Sequence, residues 1–526
     1  MLSLSVSLTF AQQVLAQPNV PSAAQTVEGP TFDIKRFELT GNTLLSTERI
    51  QSLIAPHVGT QRSLADVQRA QSAIEGAYRE LGYGAVQVIL PEQDITSGTI
   101  RLRVLQPKIG KVVLGGNLKF DTANVRASLP SIREGQIPNS TAIARNLQIT
   151  GEHPVKKTTV LLRSSDDPET VDVNIKIDED RPWRFVFSLD NTGSSDTGYL
   201  RSSVGFQHTN LFNRDHVASI QYVTSPTKLS KVNIYGAGYH VPLYSLNSSI
   251  DVVAGYSDVN SGLVQGLFNV SGSGTIFGAK WNYYLPKFAG IDQKVSLGID
   301  YRAFKNEVTL AGVGLVPDIT IRPVTLAYNG NYRGASSDIA FNLSVSANIP
   351  GGNDGGSADF ARSRANATDH YLIYRAGASY QTTFAKDWQA RASVTGQYTR
   401  DALVSGESFG LGGPDNLRGF LVREVNNDRG VGGQLEVYTP ELAPKVGLPD
   451  KFRMHMLGFY EHGTVWRNKA LAGEVTSQSI SDVGMGLRMN YGKAVSLRVD
   501  VANILKGAGT RQRGENRVSA GMALVF

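Results

Sequence analysis

The sequence predicts an antiparallel transmembrane β-barrel preceded by two small α+β domains. Three observations predict this fold class. Helix and strand patterns follow the order β-α-α-β-β before residue 182, and strand-like alternation of apolar and polar residues continues from there to the C-terminus. No apolar run reaches the length of about 18 residues that a membrane-spanning helix needs, so any crossing is expected to use strands. The 54 glycines, 20 tyrosines and 20 phenylalanines suit many strands joined by turns.

The N-terminus is typical of an export signal. Leu2–Phe10 is apolar enough for the central region of such a signal, and Val14-Leu15-Ala16 resembles a cleavage site. A positively charged beginning is missing, so the signal would be truncated here; a disordered tail is the alternative interpretation. We predict a signal peptide over residues 1–16 and a flexible linker, rich in Pro, Ser and Gln, over residues 17–31.

The first α+β domain is predicted over residues 32–107. Ser46 is expected to cap one helix, and Ser63 with Asp66 to open a second helix whose apolar residues recur every three or four positions. Gly82 follows the second helix where a C′ glycine is expected. The strands of this domain are predicted at Phe32–Phe37, Ala85–Leu90 and Thr99–Val104.

A weaker copy of the same pattern is predicted over residues 108–181. It opens with a strand that ends at the turn signal Gly115-Gly116. Its elements are predicted as a strand at Lys111–Leu114, helices at Asp121–Leu129 and Thr141–Leu147, and strands at Thr158–Arg163 and Val171–Ile177. Two tandem copies of one α+β unit therefore precede the barrel.

From residue 182 onward, apolar residues alternate with Arg, Asp, Gln, Ser and Gly. The clearest segments are Trp183–Asp190, Val295–Tyr301, Trp388–Val394, Val483–Tyr491, Val495–Val501 and Val518–Phe526. In a barrel within lipid, apolar side chains face hydrocarbon and polar ones line a wet lumen. Such a barrel must close, because an open edge in lipid leaves backbone groups unpaired. A soluble all-β fold is the alternative, but it rarely needs charges behind nearly every strand.

The barrel is predicted over residues 182–526, with sixteen strands as the best fit. Bacterial single-chain barrels have an even number of strands, and about 21 residues suffice for one strand and its connection. Fourteen or eighteen strands also fit the length. The polar stretch Gly351–Thr368 is predicted to be a long external loop, and no amphipathic helix is expected after residue 182.

The composition excludes several classes of site. Without cysteine the chain has no disulfide or thiolate metal site, and its 8 histidines lack a metal-binding spacing, so no metal and no cofactor are predicted. A net charge of +6 without a basic stripe argues against nucleic acid as a partner. Gly406–Gly410 matches the hydrolase motif G-x-S-x-G around Ser408. That motif needs a helix to follow it, so no catalytic residue is predicted.

Three parts of the chain carry a resemblance to a known family. They are Phe37–Leu45, Tyr78–Gly84 and Leu90–Gly98 in the first domain, and Gly412–Phe420 and Gly458–Gly463 in the barrel region. From Phe32 to Phe526 the chain resembles the outer-membrane transporters of two-partner secretion (TpsB, the hemolysin activation/secretion family) in the Omp85 superfamily. The first-domain segments look like a POTRA domain, which implies periplasmic POTRA domains at residues 32–107 and 108–181.

The second resemblance lies in a predicted loop of the barrel. Leu417, Arg418, Gly419 and Phe420 resemble the family's loop signature, with Leu417 in place of the usual Val. The resemblance implies that this loop, the sixth extracellular one, folds back into the lumen. Prolines 18, 21 and 30 disfavour a plug helix near the N-terminus. We therefore predict that the loop around Arg418 is the main obstruction of the lumen.

The third resemblance lies in a barrel strand. Phe459, Glu461 and Gly463 resemble a family motif whose carboxylate meets the loop arginine, and Glu461 stands where Asp is usual. The resemblance implies a latch between Arg418 and Glu461. An arginine–carboxylate pair in a confined lumen can be bidentate and charge-assisted, so such a latch would hold the loop firmly.

The resemblance also implies a function and partners. It implies a pore in the outer membrane of a Gram-negative bacterium that secretes a large unfolded partner protein, of adhesin or cytolysin type, recognised by the POTRA domains. An unfolded client can add a strand to an exposed sheet edge. Phe526 resembles the signal read by the barrel-assembly machinery, and outer-membrane lipid is a further expected partner. The alternatives are an insertase of the same superfamily, an outer-membrane hydrolase that uses Ser408, and a passive porin.

Overall fold

The computed structural model describes residues 31–116, 119–258, 262–264, 268–270, 273–305, 309–310, 313–314 and 318–526. The predicted signal peptide and the linker up to residue 30 lie outside the described residues. In the described part of the chain, no helix has the length and apolar character needed to span a membrane. Two compact units are present: the described residues up to Glu80 with Val86–Gln106, and Leu81–Ala85 with Pro107–Phe526.

The first unit combines short strands with two helices. Its elements are β1 (Phe32–Ile34), β2 (Arg36–Thr40), α1 (Thr47–Ile54), β3 (Gly59–Arg62), α2 (Leu64–Glu80), β4 (Gln87–Ile89) and β5 (Thr99–Leu105). β5 is the central strand of a sheet, parallel to β2 and antiparallel to β4. The predicted strand Phe32–Phe37 is divided at Lys35, because β1 pairs with β3 instead.

Local sequence signals account for the helix ends of this unit. The Ser46 hydroxyl accepts a hydrogen bond from the Arg49 N–H at 3.2 Å, so Ser46 caps α1. At the start of α2 the Ser63 N–H donates to the Asp66 carboxylate at 2.9 Å. The core of the unit contains Ile34, Val67, Ile74, Tyr78, Ile100 and Leu102.

The second α+β region repeats the order β2-α1-α2-β4-β5 of the first and, in its described residues, has no counterpart of β1 and β3. Its elements are β6 (Lys108–Gly115), α3 (Thr122–Ser128), α4 (Ser140–Thr150), β7 (Lys156–Ser164) and β8 (Thr170–Glu179). β8 is the central strand, parallel to β6 and antiparallel to β7. Since β5 has the same position in the first unit, the two regions share one topology.

The remaining chain forms a barrel and its loops. The elements are β9 (Trp183–Asp190), β10 (Arg201–Leu211), β11 (His216–Thr224), β12 (Asn233–Leu243), β13 (Ser248–Ser257), β14 (Gly262–Val264), β15 (Phe268–Val270), β16 (Ser273–Phe288), β17 (Ile291–Lys305), β18 (Thr309–Leu310), β19 (Val313–Gly314), β20 (Ile319–Ile321), β21 (Pro323–Arg333), β22 (Ser337–Asn348), α5 (Ser357–Ser363), β23 (Leu372–Phe384), β24 (Trp388–Tyr398), β25 (Phe409–Leu411), β26 (Val425–Asn427), β27 (Arg429–Tyr438), β28 (Phe452–Trp466), β29 (Ser477–Tyr491), β30 (Val495–Lys506) and β31 (Asn516–Val525).

The wall is a closed antiparallel cylinder. The pairs β14–β15, β18–β19 and β25–β26 are hairpins inside loops. β20 and β21 both pair with β17 on either side of Arg322, so together they form one wall strand. Counted in this way, the wall has sixteen strands, and the prediction of sixteen is confirmed.

The cylinder closes where β31 pairs with β9. Their register is short and runs from Gly521 opposite Asp190 to Val525 opposite Val186. The side chain of Asn191 extends it: its amide donates to the Val518 carbonyl at 2.8 Å. By contrast, β28 and β29 pair along their full length.

Aromatic side chains form a belt around each end of the wall. The end that carries the second α+β region exposes Trp183, Phe185, Phe288, Phe384, Trp388, Tyr491 and Phe526. The opposite end exposes Tyr235, Tyr256, Tyr301, Tyr374 and Tyr398. Apolar residues such as Ile220, Leu343 and Met485 are exposed between the belts. This is the outer surface that a barrel presents to the two interfaces and the hydrocarbon of a membrane.

One expectation for the barrel region is wrong. The stretch Gly351–Thr368 lies in the connection between β22 and β23, but it contains the helix α5, whereas no amphipathic helix was expected there. The Gly356 N–H donates to the Asp359 carboxylate at 3.0 Å at the start of α5, and Phe360 is fully buried below it. A helix of this length makes too few turns to reveal a periodicity in sequence.

Candidate functional site

Loop 6, the segment 399–428 between β24 and β27, enters the lumen of the barrel. It is the sixth connection at the end remote from the second α+β region. β25 pairs with β26, so the loop is a hairpin whose tip carries the predicted motif. The motif consists of Leu417, Arg418, Gly419 and Phe420.

Arg418 lies among carboxylates of the barrel wall. Its Nη2 donates a hydrogen bond to Glu436 of β27, its Nε is 3.4 Å from Oε1 of Glu461 of β28, and its Nη1 is 3.8 Å from Oδ1 of Asp500 of β30. The guanidinium carbon is 4.1 Å from the ring centroid of Phe459, a cation–π contact. Only 5 % of the Arg418 side chain is exposed, so removal of one partner leaves a buried charge uncompensated.

The acidic wall consists of Glu436, Glu461, Asp482 and Asp500, one from each of β27, β28, β29 and β30. Glu461 and Asp482 are directly opposite each other in the register. The backbone of loop 6 supplies a donor to each: the Arg418 N–H donates to Glu461 at 2.6 Å, and the Gly419 N–H donates to Asp482 at 3.1 Å. Positive charge and N–H donors from the loop therefore offset the repulsion between neighbouring carboxylates.

Glycines permit this close approach of loop and wall. A Cβ at Gly463 would lie 2.6 Å from a methyl carbon of Leu411 in the loop. A Cβ at Gly419 would lie 3.1 Å from the Cβ and Oδ2 of Asp482. Gly432 is paired opposite Gly463 and also contacts Leu411. Both glycines thus leave the room that the Leu411 side chain fills.

An apolar cluster surrounds the charged contacts. It consists of Leu411, Leu417, Phe420 and Val425 of loop 6 with Val465, Ile480 and Ile504 of the wall. Each of these residues is at most 2 % exposed, so water is excluded from this cluster. Burial of this apolar area adds a non-directional attraction to the ion pairs.

The base of loop 6 is held by two further charged contacts. The carboxylate of Asp428 is fully buried; it accepts from both terminal nitrogens of Arg364, one of them at 2.8 Å, and from the Asn468 N–H at 2.6 Å. Glu407 accepts from Arg302 at 2.6 Å and from Arg375 at 2.9 Å. Loop 6 is therefore connected to the wall at its tip and at Glu407, and to two neighbouring loops at Asp428.

Ser408, the serine of the G-x-S-x-G match, is a buried residue of loop 6. A short turn at Ser405–Glu407 precedes it and the strand β25 follows it. Its hydroxyl donates to the Val404 carbonyl at 3.5 Å. This is not the strand–turn–helix that holds a hydrolase nucleophile.

A buried polar cluster joins the second α+β region to the barrel. The Lys156 ammonium forms an ion pair with Asp215, in the turn between β10 and β11, and both side chains are almost fully buried. Tyr244, after β12, donates to the same carboxylate at 2.7 Å, and Asn124 of α3 donates to it at 2.9 Å. His153 shares a 2.8 Å hydrogen bond with the Thr209 carbonyl, and burial lowers the pKa of its imidazole.

Phe526 ends the chain at the closing seam. Its N–H donates to the Phe185 carbonyl at 3.0 Å, and the Phe185 N–H donates to the Phe526 carbonyl at 3.2 Å. Phe526 is 64 % exposed on the outer surface. Phe526 thus extends the pairing of β31 with β9 by one residue.

The structure brings the predicted residues Arg418, Phe459, Glu461 and Gly463 together around loop 6. The hydrogen-bonded partner of the guanidinium is nevertheless Glu436, which was not among the predicted site residues. Asp482, Asp500 and Glu407 were also missed. A usable signal existed for three of the four: Glu436, Asp482 and Asp500 are acidic residues within apolar alternation, on the side predicted to face the lumen.

Two family descriptions match the chain. The family described as "Haemolysin secretion/activation protein ShlB/FhaC/HecB" matches residues 169–489, more than half of the chain. The description "POTRA domain, ShlB-type" matches residues 32–106. Among curated proteins, the heme/hemopexin transporter protein HuxB of Haemophilus influenzae is 21% identical over 496 residues, which cover 93% of this chain and 86% of that protein. The outer membrane transporter CdiB of Dickeya dadantii is 21% identical, over 78% of this chain and 72% of that protein.

Solved structures agree on the fold. CdiB from Escherichia coli superposes with a TM-score of 0.78 at 18% identity, covering 96% of this chain and 93% of that one. CdiB from Acinetobacter baumannii gives a TM-score of 0.72 at 16% identity, covering 98% and 95%. With the family match and the sixteen-stranded barrel, these findings lead to one conclusion: the chain belongs to the haemolysin secretion/activation family and is an outer-membrane transporter of two-partner secretion.

Proposed function

We propose that this transporter recognises one large, unfolded exoprotein through its POTRA domains and secretes it through the barrel. The POTRA domains of the proposal are residues 32–107 and 108–181, and the barrel is residues 182–526. The exoprotein is of adhesin or cytolysin type, and it reaches the cell surface or the medium.

One observation carries the proposal. Loop 6 enters the lumen of a closed cylinder, and among the described residues this hairpin pairs its strands only with each other. In the described part of the chain, no backbone-to-backbone hydrogen bond joins this hairpin to a wall strand, so it can leave without breaking a strand pairing of the barrel. A removable obstruction in a lumen lined by polar side chains suits passage of an extended chain.

Within this proposal, Arg418 and Glu461 form a latch with the other members of the acidic wall. The contacts in its favour are the 3.4 Å separation of the two side chains and the 2.6 Å hydrogen bond from the Arg418 N–H to Glu461. Because the loop carries the cation and the wall carries the anions, loop departure leaves the carboxylates without their counter-charge.

Recognition of the client by strand addition has a suitable edge in the second α+β region. Within the described residues β7 pairs only with β8, so the other side of β7 is open. Leu161 and Leu162 of this strand are 50 % and 43 % exposed. Exposed edge groups and apolar side chains together are what an extended peptide binds when it adds a strand.

The proposed function is tested by removing the first POTRA unit, residues 32–106, and comparing the large proteins that cells with this variant and cells with the parent release into the medium. The variant barrel is expected in the outer-membrane fraction at the parent level, while the exoprotein disappears from the medium. Arrival of the exoprotein in the medium at the parent rate would reject the proposal. A general loss of outer-membrane proteins on depletion of the transporter would instead indicate an insertase.

A further inference from the structure

Glu407 lies in a second charged site of the lumen that the motif around Arg418 does not include. Its carboxylate is fully buried and accepts from Nη1 of Arg302, on β17, at 2.6 Å and from Nη2 of Arg375, on β23, at 2.9 Å. The Glu407 carbonyl accepts from the Gln397 amide at 2.8 Å. Main chain and side chain of one loop residue are therefore both held by the wall.

The two arginines, termed the basic wall, are positioned by other residues of the barrel. Arg302 donates to Asp300 at 2.6 Å. Arg375 donates to the Gln397 side chain at 2.8 Å and to the Ser346 hydroxyl at 3.2 Å. Since these partners belong to wall strands, each arginine is also held by contacts that do not involve the loop. It is a preformed site for one carboxylate.

The backbone beside Glu407 fits closely against the same part of the wall. A Cβ at Gly406 would lie 2.5 Å from the ring of Phe304. A cavity of about 440 Å³ adjoins the site and is lined by Arg302, Arg375 and Glu407 among others. The loop thus has room to move away on one side and a complementary surface on the other.

The charges of the two sites are reversed. At its tip, loop 6 presents the cation Arg418 to the acidic wall on β27–β30. Near its base, it presents the anion Glu407 to the basic wall on β17 and β23. The two walls lie in different sectors of the cylinder, so each contact restrains the loop in a different direction.

We propose that Glu407 and the basic wall form a second anchor of loop 6, independent of the Arg418 latch and of opposite polarity. This inference rests on the proposed role of loop 6 as a removable obstruction. Loss of either anchor leaves the hairpin attached at the other, so movement of the hairpin out of the lumen requires both to break. Glu407 acts as a positioning residue, because its contact with the basic wall keeps loop 6 in place.

A cysteine-labelling experiment on the full-length transporter in membranes tests the proposal. The chain has no cysteine, so Val425→Cys provides a single reporter. Val425 is a loop residue in the apolar cluster and only 2 % exposed. A membrane-impermeant maleimide added outside is expected to label it slowly in the parent, several-fold faster in Glu407→Gln or Arg418→Ala, and fastest when both changes are combined.

Two comparisons separate anchoring from a general loss of structure. Glu407→Gln is expected to have no further effect in an Arg302→Gln/Arg375→Gln background, because its partners are already absent; additive acceleration there overturns the proposal. Glu474→Gln, which breaks the Glu474–Arg467 pair between β28 and β29, is the matched control and should label like the parent. Equal acceleration by the control also overturns it.

The same variants test the second anchor separately from the removable loop on which it rests. If Arg418→Ala accelerates labelling and Glu407→Gln does not, the second anchor is wrong while the removable loop stands. If neither accelerates labelling, the removable loop is wrong as well. Should Glu407→Gln fail to assemble, Arg375→Gln removes one of the two donors, and labelling between the parent and Arg418→Ala is expected.

Discussion

At the scale of single residues, the lumen shows how burial changes what an ion pair contributes. Arg418 is enclosed by carboxylates, the Phe459 ring and apolar side chains, whereas Arg453 and Glu441 form a pair in which the arginine is 59% exposed. Exposed pairs are screened by water and contribute little. A buried charge that loses its partners has no such screening. The two arginines should therefore respond differently to the same substitution.

We expect Arg418→Ala to lower the free energy of unfolding of the barrel by about 3 kcal/mol, because it leaves the acidic wall uncompensated. It should also raise the resting conductance in planar bilayers, since the tip of loop 6 loses its anchor. The matched control Arg453→Ala should change stability by less than about 1 kcal/mol and leave the conductance unchanged. A resting conductance that does not change in Arg418→Ala would contradict the prediction.

The glycine at the loop contact offers a prediction of its own. Gly463→Ala places a methyl group against Leu411, and such overpacking costs about 1–3 kcal/mol. Gly458 lies on the same strand with open space where a Cβ would be, so Gly458→Ala is the control. Urea unfolding in detergent micelles should separate the two variants. Equal stability of both would show that loop 6 does not press on the wall at Gly463.

Sequence motifs indicated some site residues and left others out for a physical reason. Arg418 and Glu461 stand in contiguous motifs, so each can be recognised from its neighbours in sequence. Glu436 and Glu407 become neighbours of loop and wall only through the strand register and the path of the loop. The alternation around Glu436 indicates that it faces the lumen, but it does not identify Arg418 as its partner, and no local pattern marks Glu407.

At the scale of elements, the junction between the second α+β region and the barrel combines apolar and polar contacts. Ile149 of α4 packs against Tyr244 and Tyr284. Glu152 accepts from the Tyr284 hydroxyl at 2.6 Å and from Lys294 at 2.7 Å. With the Lys156–Asp215 pair, these contacts fix the region to three periplasmic turns of the barrel.

This junction should weaken in acid because of His153. Burial lowers the pKa of its imidazole; Lys156 and His240 lower it further, while Asp215 opposes them. The unfolded imidazole has a pKa near about 6.5. The detached state therefore binds a proton that the docked state excludes, and docking is lost progressively as the pH falls from that value toward the lower docked pKa.

Hydrogen exchange of α4 can check this, with protection factors compared at neutral and mildly acidic pH. We expect lower protection in acid for the parent and a smaller decrease for His153→Gln, which retains a donor for the Thr209 carbonyl but does not titrate. A decrease of the same size in both proteins would rule out His153 as the cause.

Elements were predictable to the extent that their signals are local. The cap at Ser46 and the alternation of β8 and β29 are local, and the elements formed where expected. β3 was missed because Gly59–Arg62 is polar throughout and becomes a strand only by pairing with β1. α5 was missed because its single buried anchor, Phe360, meets a core built from distant strands.

At the scale of the whole molecule, closure of the cylinder depends on its two ends. Phe526 and Phe185 exchange backbone hydrogen bonds, and the exposed Phe526 ring lies in the aromatic belt of that end. Phe526 could therefore act in two ways: as the assembly signal that it resembles, and as the residue that pairs with Phe185 at the seam. They can be separated by experiment, because only one of them requires cellular machinery.

We expect Phe526→Ala to lower the amount of barrel in the outer membrane of cells several-fold, through weaker recognition by the assembly machinery. When the purified variant refolds spontaneously into lipid vesicles, the yield of folded barrel should decrease little, because the backbone hydrogen bonds to Phe185 remain. Phe288→Ala, in the same belt but away from the C-terminus, is the control. A deficit in vesicles as large as in cells would assign the effect to the seam alone.

The pairing of β9 with β31 also determines when the barrel can close, because these strands are the first and the last of the wall. The first wall strand leaves the ribosome early and has no final neighbour on one side until the last residues appear. Every partly built barrel therefore exposes two unpaired strand edges, which can pair with other chains. Because β31 pairs with β9 only over Gly521–Val525, this last pairing is the step of closure most exposed to competition from other chains.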